Sequence, residues 1–98
     1  MNIAKTKEAE KLTIALEGRL DTTTAPELEA ELNASLDGVT ALVFDLAKLE
    51  YISSAGLRVL LAAQKKMNAL GTMVVTNVCE DIMEVFEVTG FSDILTIE

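Results

Sequence analysis

The sequence predicts an α/β fold: a mixed β-sheet that begins with an antiparallel hairpin and has helices packed against it. Three observations lead there. Residues 11–17 alternate apolar and polar side chains with a period of two, while 25–36 and 54–70 repeat apolar residues at helical spacing. Two short runs, Ala41–Phe44 and Thr72–Thr76, lack that alternation and stand between helical stretches, as buried parallel strands do. No linker, repeat or low-complexity tract divides the 98 residues, which are read as one domain, 1–98.

The elements follow in order. Ile3–Thr6 is weakly strand-like and is expected to pair with Lys11–Glu17, where Leu12, Ile14 and Leu16 share one face. Gly18 to Asp21 and the three threonines after it read as a loop. Thr24 as N-cap, with Glu27 three residues on and Pro26 in the first turn, opens a helix. Leu28, Leu32 and Leu36 form its apolar stripe, and Asp37-Gly38 ends it. Ala41–Phe44 reads as a strand covered on both faces, Asp45 to Glu50 as a crossing loop, and Tyr51-Ile52 as a short strand-like pair. Ser53-Ser54 leads into the longest helical pattern, which stops before Gly71. Thr72–Thr76 is a further strand. Asn77 or Cys79 caps a third helix running to about Val88, and Asp93 to Ile97 reads as a last short strand.

Composition excludes much chemistry. Eight basic against sixteen acidic residues give a net charge of −8, which repels phosphate backbones and argues against direct nucleic-acid binding. There is no histidine, so a Ser-His-Asp triad, a Cys-His pair or a His-ligated zinc cannot form within the chain. The five glycines are scattered singly and build no phosphate-binding loop. The expectation is a non-enzyme with no cofactor and no metal. The lone Cys79 cannot close an internal disulfide, no apolar run spans a membrane, and the first residues lack a signal-peptide core; together these predict a cytoplasmic protein. Asp45, at the end of a strand, invites comparison with a phosphoryl-accepting aspartate, but no lysine follows Met67 to complete such a site.

The most informative local feature is the Ser53-Ser54 turn between a strand and a helix. A helix N-terminus presents unpaired N–H groups and partial positive charge, so a phosphate attached there is tolerated. The alternative is that both serines only cap the helix. At about 100° per residue, Gly56, Val59, Leu60, Ala63, Met67 and Leu70 share the core stripe, with Ser54, Arg58, Lys65 and Asn68 opposite. Leu57 and Leu61 fall on or beside the polar stripe. They are candidates for a partner surface with Arg58, unless loop residues cover them.

Residues 43–57, VFDLAKLEYISSAGL, resemble the signature of bacterial anti-sigma-factor antagonists, the STAS-domain family. The resemblance extends over nearly the whole chain: Gly18-Arg19-Leu20-Asp21 matches the family's Gly-x-(Leu/Val/Ile)-Asp, and Gly71–Val75 and Phe86–Gly90 sit where the family has similar segments. It implies a STAS-type α/β sandwich that binds an anti-sigma factor, often a GHKL-type serine kinase, and thereby frees a sigma factor to activate transcription. In such a partner switch the kinase phosphorylates a serine at the helix start, and a metal-dependent serine phosphatase reverses the modification. By position, Ser54 matches the phosphoacceptor. Ser53 stands where many phosphorylated members have Asp, and Ala55 where they often have Ser or Thr. The loop of Asp21 is expected near the acceptor turn, although an Asx turn ahead of the helix also explains that residue. The expected sites are thus Ser54 for phosphorylation and Asp21, Ser53, Leu57, Arg58 and Leu61 for partner binding. The alternative function is an unphosphorylated scaffold or interaction module in another signalling or lipid-transport assembly.

Overall fold

The computed structural model describes residues 1–98. Its elements are β1 (Asn2–Glu8), β2 (Lys11–Leu20), α1 (Ala25–Ser35), β3 (Ala41–Ile52), α2 (Ser54–Leu70), β4 (Thr72–Thr76) and α3 (Glu80–Thr89), followed by one 3-10 turn at Phe91–Asp93. The sheet order is β1-β2-β3-β4. β1 pairs antiparallel with β2, as the hairpin reading expects, and β2-β3 and β3-β4 are parallel.

One face of this sheet makes the core. Register aligns Leu12 with Leu42 and Met73, and Ile14 with Phe44 and Val75, so these side chains stand in two rows. They join Leu28 and Leu32 of α1, Leu60 and Met67 of α2, and Ile82 and Phe86 of α3 in one buried apolar cluster. Each such side chain taken out of water contributes about 1.5–3 kcal/mol. The other face, with Thr13, Ala15, Val43 and Val74, is only half-buried. Ala41–Leu46 of β3 and Met73–Thr76 of β4 therefore alternate buried and half-buried positions, and the expectation that both faces are covered is corrected: the helical layer lies on one side.

Three other expectations change. Asp45 to Glu50 is not a loop, because β3 runs unbroken from Ala41 to Ile52. Its buried residues beyond Phe44 are Leu46, Leu49 and Ile52, a spacing that hides the strand from a period-two reading. The cause is two register shifts against β2: Ala15 and Glu17 face Asp45 and Lys48, while Gly18 and Arg19 face Leu49 and Tyr51. Each shift leaves one extra residue on β3, as at a β-bulge. Gly18 to Leu20 accordingly belongs to β2 rather than to a loop. Finally, the last segment is not a strand. After Gly90, whose left-handed backbone closes α3, the chain makes its 3-10 turn and returns to the sheet through a single bridge, Ile97 to Val75.

Gly71 ends α2 where the chain crosses Thr40. A Cβ there would lie 1.9 Å from the Thr40 carbonyl oxygen, so the crossing requires glycine. No helix is long and apolar enough to cross a membrane.

Candidate functional site

The site lies where β2 and β3 end side by side. Leu20 pairs with Ile52, and the next backbone N–H, that of Ser53, donates to the Leu20 carbonyl at 2.9 Å. One strand then turns into the Asp21–Thr24 segment and the other into α2. Gly56 lets the first turn of α2 settle on both strand ends: a Cβ at this position would stand 2.7 Å from Leu20 Cγ and 2.9 Å from Ile52 Cγ1.

The two serines have separate roles. Ser53 is the N-cap, in extended backbone conformation, and its Oγ accepts from the Gly56 N–H at 3.4 Å. Ser54 is the first helical residue and is exposed. Capping thus falls to Ser53, and Ser54 stands clear of it at the positive end of a 17-residue helix.

Asp21 organises the neighbouring turn. Its Oδ1 accepts from the Thr23 N–H at 3.0 Å, the Thr23 hydroxyl at 2.7 Å and the Thr24 N–H at 3.2 Å. The Thr23 hydroxyl, and after it the backbone N–H groups of Thr23 and Thr24, hold the carboxyl below the usual carboxylate range against a smaller opposing effect of desolvation. This is the Asx-type turn. It also explains why Thr24 and Glu27 form no capping box: the Thr24 hydroxyl is engaged with the Arg19 carbonyl at 2.8 Å and the Asp21 N–H at 2.8 Å, and makes no cap bond into α1.

Sequence reasoning missed Arg19 and Tyr51. They face each other across β2 and β3, with the guanidinium carbon 4.2 Å from the centroid of the Tyr51 ring and Arg19 Nε 3.8 Å from Asp21 Oδ2. Their pairing depends on the second register shift, which no local pattern reveals. Asp45, by contrast, braces the fold: its Oδ1 accepts from the Ala47 N–H and from Asn77 Nδ2, both at 3.0 Å. Cys79 is the exposed N-cap of α3.

On α2 the expected stripe is partly corrected. Leu57 is only 6% exposed and belongs to the core cluster, so it is not a surface leucine. The buried residues Gly56, Leu57, Val59, Leu60, Ala63, Gln64 and Met67 span a sector of roughly 160° at 100° per residue, wider than one stripe, and Leu57 lies at its margin. Leu70 was expected in the core but is 49% exposed at the last residue of the helix. Ser54, Arg58 and Lys65 are exposed and Leu61 is half-buried, all on one side of α2. Two concavities measure about 270 and 260 Å³. They lie against β1–β3 around Ala15 and Asp45 and between α1 and α2 around Leu32 and Ala63, and neither includes Ser54, Asp21 or Arg58.

The STAS domain model matches residues 1–98. A Bordetella bronchiseptica protein, BtrV, provisionally named an anti-sigma factor antagonist, is 41% identical over 88 residues, covering 88% of this chain and 76% of that protein. The chain belongs to the STAS-domain family of anti-sigma factor antagonists. Among other members of this family, the anti-sigma-B factor antagonist of Listeria monocytogenes is 30% identical over an alignment covering 100% of this chain and 90% of that one. Solved structures share the STAS fold. A Mycobacterium paratuberculosis anti-sigma factor antagonist superposes with a TM-score of 0.88 at 25% identity, covering 98% of this chain and 83% of that one. The unphosphorylated form of SpoIIAA gives 0.79 at 19% identity, covering 99% and 87%.

Proposed function

We propose that this STAS protein binds an anti-sigma factor, itself a GHKL-type serine kinase, and so releases a sigma factor to activate transcription in the cytoplasm. In this reading the partner covers the side of α2 that holds Ser54, Arg58 and Leu61, together with the Asp21 turn and Ser53. The kinase phosphorylates Ser54 and thereby ends the complex, and a serine phosphatase restores the acceptor. The protein is the substrate of these enzymes and performs no catalysis of its own.

The observation that carries the proposal is the division of labour at the turn. Ser53 caps α2, and Ser54 is left exposed at the helix start. A phosphate on Ser54 adds about −1.5 to −2 charges at the end of α2 that favours anions, so the fold accepts it. A partner passing over the same spot has to desolvate that charge or withdraw. The names of the relatives support the partner class, and SpoIIAA has been solved in a phosphorylated form. The departures at Ser53 and Ala55 favour, as a second reading, a scaffold that binds without phosphorylation.

Phosphopeptide mass spectrometry after incubation with ATP and an anti-sigma serine kinase of the source organism tests the assignment. One phosphate on Ser54 is expected. A phosphate on Ser53 or on one of Thr22, Thr23 and Thr24 overturns it, and an unmodified chain that still binds the kinase leaves the scaffold reading.

A further inference from the structure

The charges of this acidic chain are sorted by helix. α1 holds Glu27, Glu29 and Glu31 and no base, and α3 holds Glu80, Asp81, Glu84 and Glu87 and no base. α2 has the opposite sign: Arg58, Lys65 and Lys66 and no carboxylate. Lys66 is engaged with Asn33 of α1. The ion pairs of the protein use Lys5, Arg19 and Lys48, whereas Arg58 and Lys65 are exposed and make neither an ion pair nor a side-chain hydrogen bond. Spacings of four, three and four residues place Ser54, Arg58, Leu61 and Lys65 in one line down the helix. The line reads hydroxyl, cation, leucine, cation. A chain with net charge −8 needs no such cations for solubility.

Resting on the function proposed above, we infer that the partner's docking surface is acidic: carboxylates facing Arg58 and Lys65, arranged around an apolar recess that takes Leu61. Charge complementarity of this kind steers encounter and fixes register. It also gives the switch its sign. A phosphoryl group on Ser54, at about −1.5 to −2, offsets the two cations and repels the carboxylates that they attract. An extended polyanion is a poorer fit, because the carboxylates of α1 and α3 belong to the same helical layer.

Calorimetric titration of the purified anti-sigma partner at about 50 and 500 mM NaCl decides the matter. The proteins are wild type, Arg58→Glu, Lys65→Glu, the neutral Arg58→Gln and Lys65→Gln, and Lys11→Glu, which reverses an exposed cation at the far end of β2. Each reversal on α2 is expected to weaken binding at least about tenfold, the neutral variants less and Lys11→Glu hardly at all, with wild-type affinity falling as salt rises. Near-wild-type binding by both α2 reversals, while Ser54→Asp still blocks the complex, overturns the acidic partner and leaves the proposed function standing. If Ser54→Asp and Leu61→Ala bind normally as well, the proposed surface itself falls. Salt-sensitive binding of wild type to a DNA duplex or to phosphatidylglycerol vesicles, lost in Lys65→Glu, overturns the inference in favour of a polyanion.

Discussion

The Ser53 N–H donates to the Leu20 carbonyl at 2.9 Å, immediately beyond the last paired residues of β2 and β3. That bond joins the two segments that carry the candidate site. On one side of it the chain enters the Asx turn of Asp21, and on the other it enters α2 at Ser54. Whatever moves the strand ends therefore moves both halves of the surface together.

Gly56→Ala tests this joint directly. The added methyl would meet Leu20 and Ile52 well inside contact distance, and Leu20 is fully buried, so its branch point cannot swing aside. Overpacking costs about 1–3 kcal/mol. The gain in helix propensity offsets roughly 1 kcal/mol. A net loss of stability is expected in denaturant titrations, with a weaker complex even under conditions where the variant is folded. Equal or greater stability than wild type would mean that α2 does not rest on the strand ends.

Asp21 makes acid stability sensitive to one carboxyl. Its pKa is lowered in the folded protein from the ordinary value of 3.8, chiefly by the Thr23 hydroxyl. A depressed carboxyl pKa contributes stability that is complete above the unfolded value and is lost as pH falls through the folded one. Asp21→Asn is therefore expected to lower the melting temperature near neutrality. The gap to wild type should close progressively below pH 3.8. Thermal melts between neutrality and acid check the sign, and a gap that widens toward low pH would contradict it.

Much of this was legible in the sequence, and the failures share a cause. The hairpin, the three helices and the buried rows follow from periodicity and punctuation, which are local. The Ser53-Ser54 turn is legible for the same reason, since two hydroxyls between a strand and a helix leave few alternatives. The long β3 was not, because its two extra residues break the period of two, and their placement depends on β2. Arg19 and Tyr51 were hidden by the same shift. Leu57 was misplaced because the width of a buried helix face is set by what the helix rests on, here the ends of two strands as well as β4. The Thr24 capping box failed because Asp21 and Arg19 compete for its hydroxyl.

The division between the serines predicts opposite outcomes for adjacent substitutions. Ser53→Ala removes the oxygen that accepts from Gly56 and should cost about 0.5–2 kcal/mol, toward the low end because that bond is 3.4 Å long. Ser54→Ala removes no cap and should leave stability nearly unchanged. Ser54→Asp places a negative charge at the helix start and is expected to hold or raise stability by about 0.3–1 kcal/mol while mimicking the blocked state toward the partner. Chemical denaturation of the three variants is the check. An unfolded Ser54→Asp would show that the position is not free to accept a phosphate.

The sharpest prediction sets Leu57, Leu60 and Leu61 against one another. Leu60 is fully buried and Leu57 nearly so, each within the common core, whereas Leu61 is half-buried beside Arg58. Truncating a buried leucine costs its transfer energy and leaves a cavity. Leu57→Ala and Leu60→Ala are therefore expected to lose about 2–5 kcal/mol. Leu61→Ala should lose roughly 1 kcal/mol, because much of its side chain already meets water. Binding should rank the other way. Measured well below their melting temperatures, the two core variants should retain the partner to the extent that they are folded, and Leu61→Ala should lose affinity without losing structure. Paired thermal melts and calorimetric titrations separate these outcomes. If Leu61→Ala melts as low as Leu60→Ala, the residue belongs to the core, and the line from Ser54 through Arg58 to Lys65 has no apolar centre for a partner to grip.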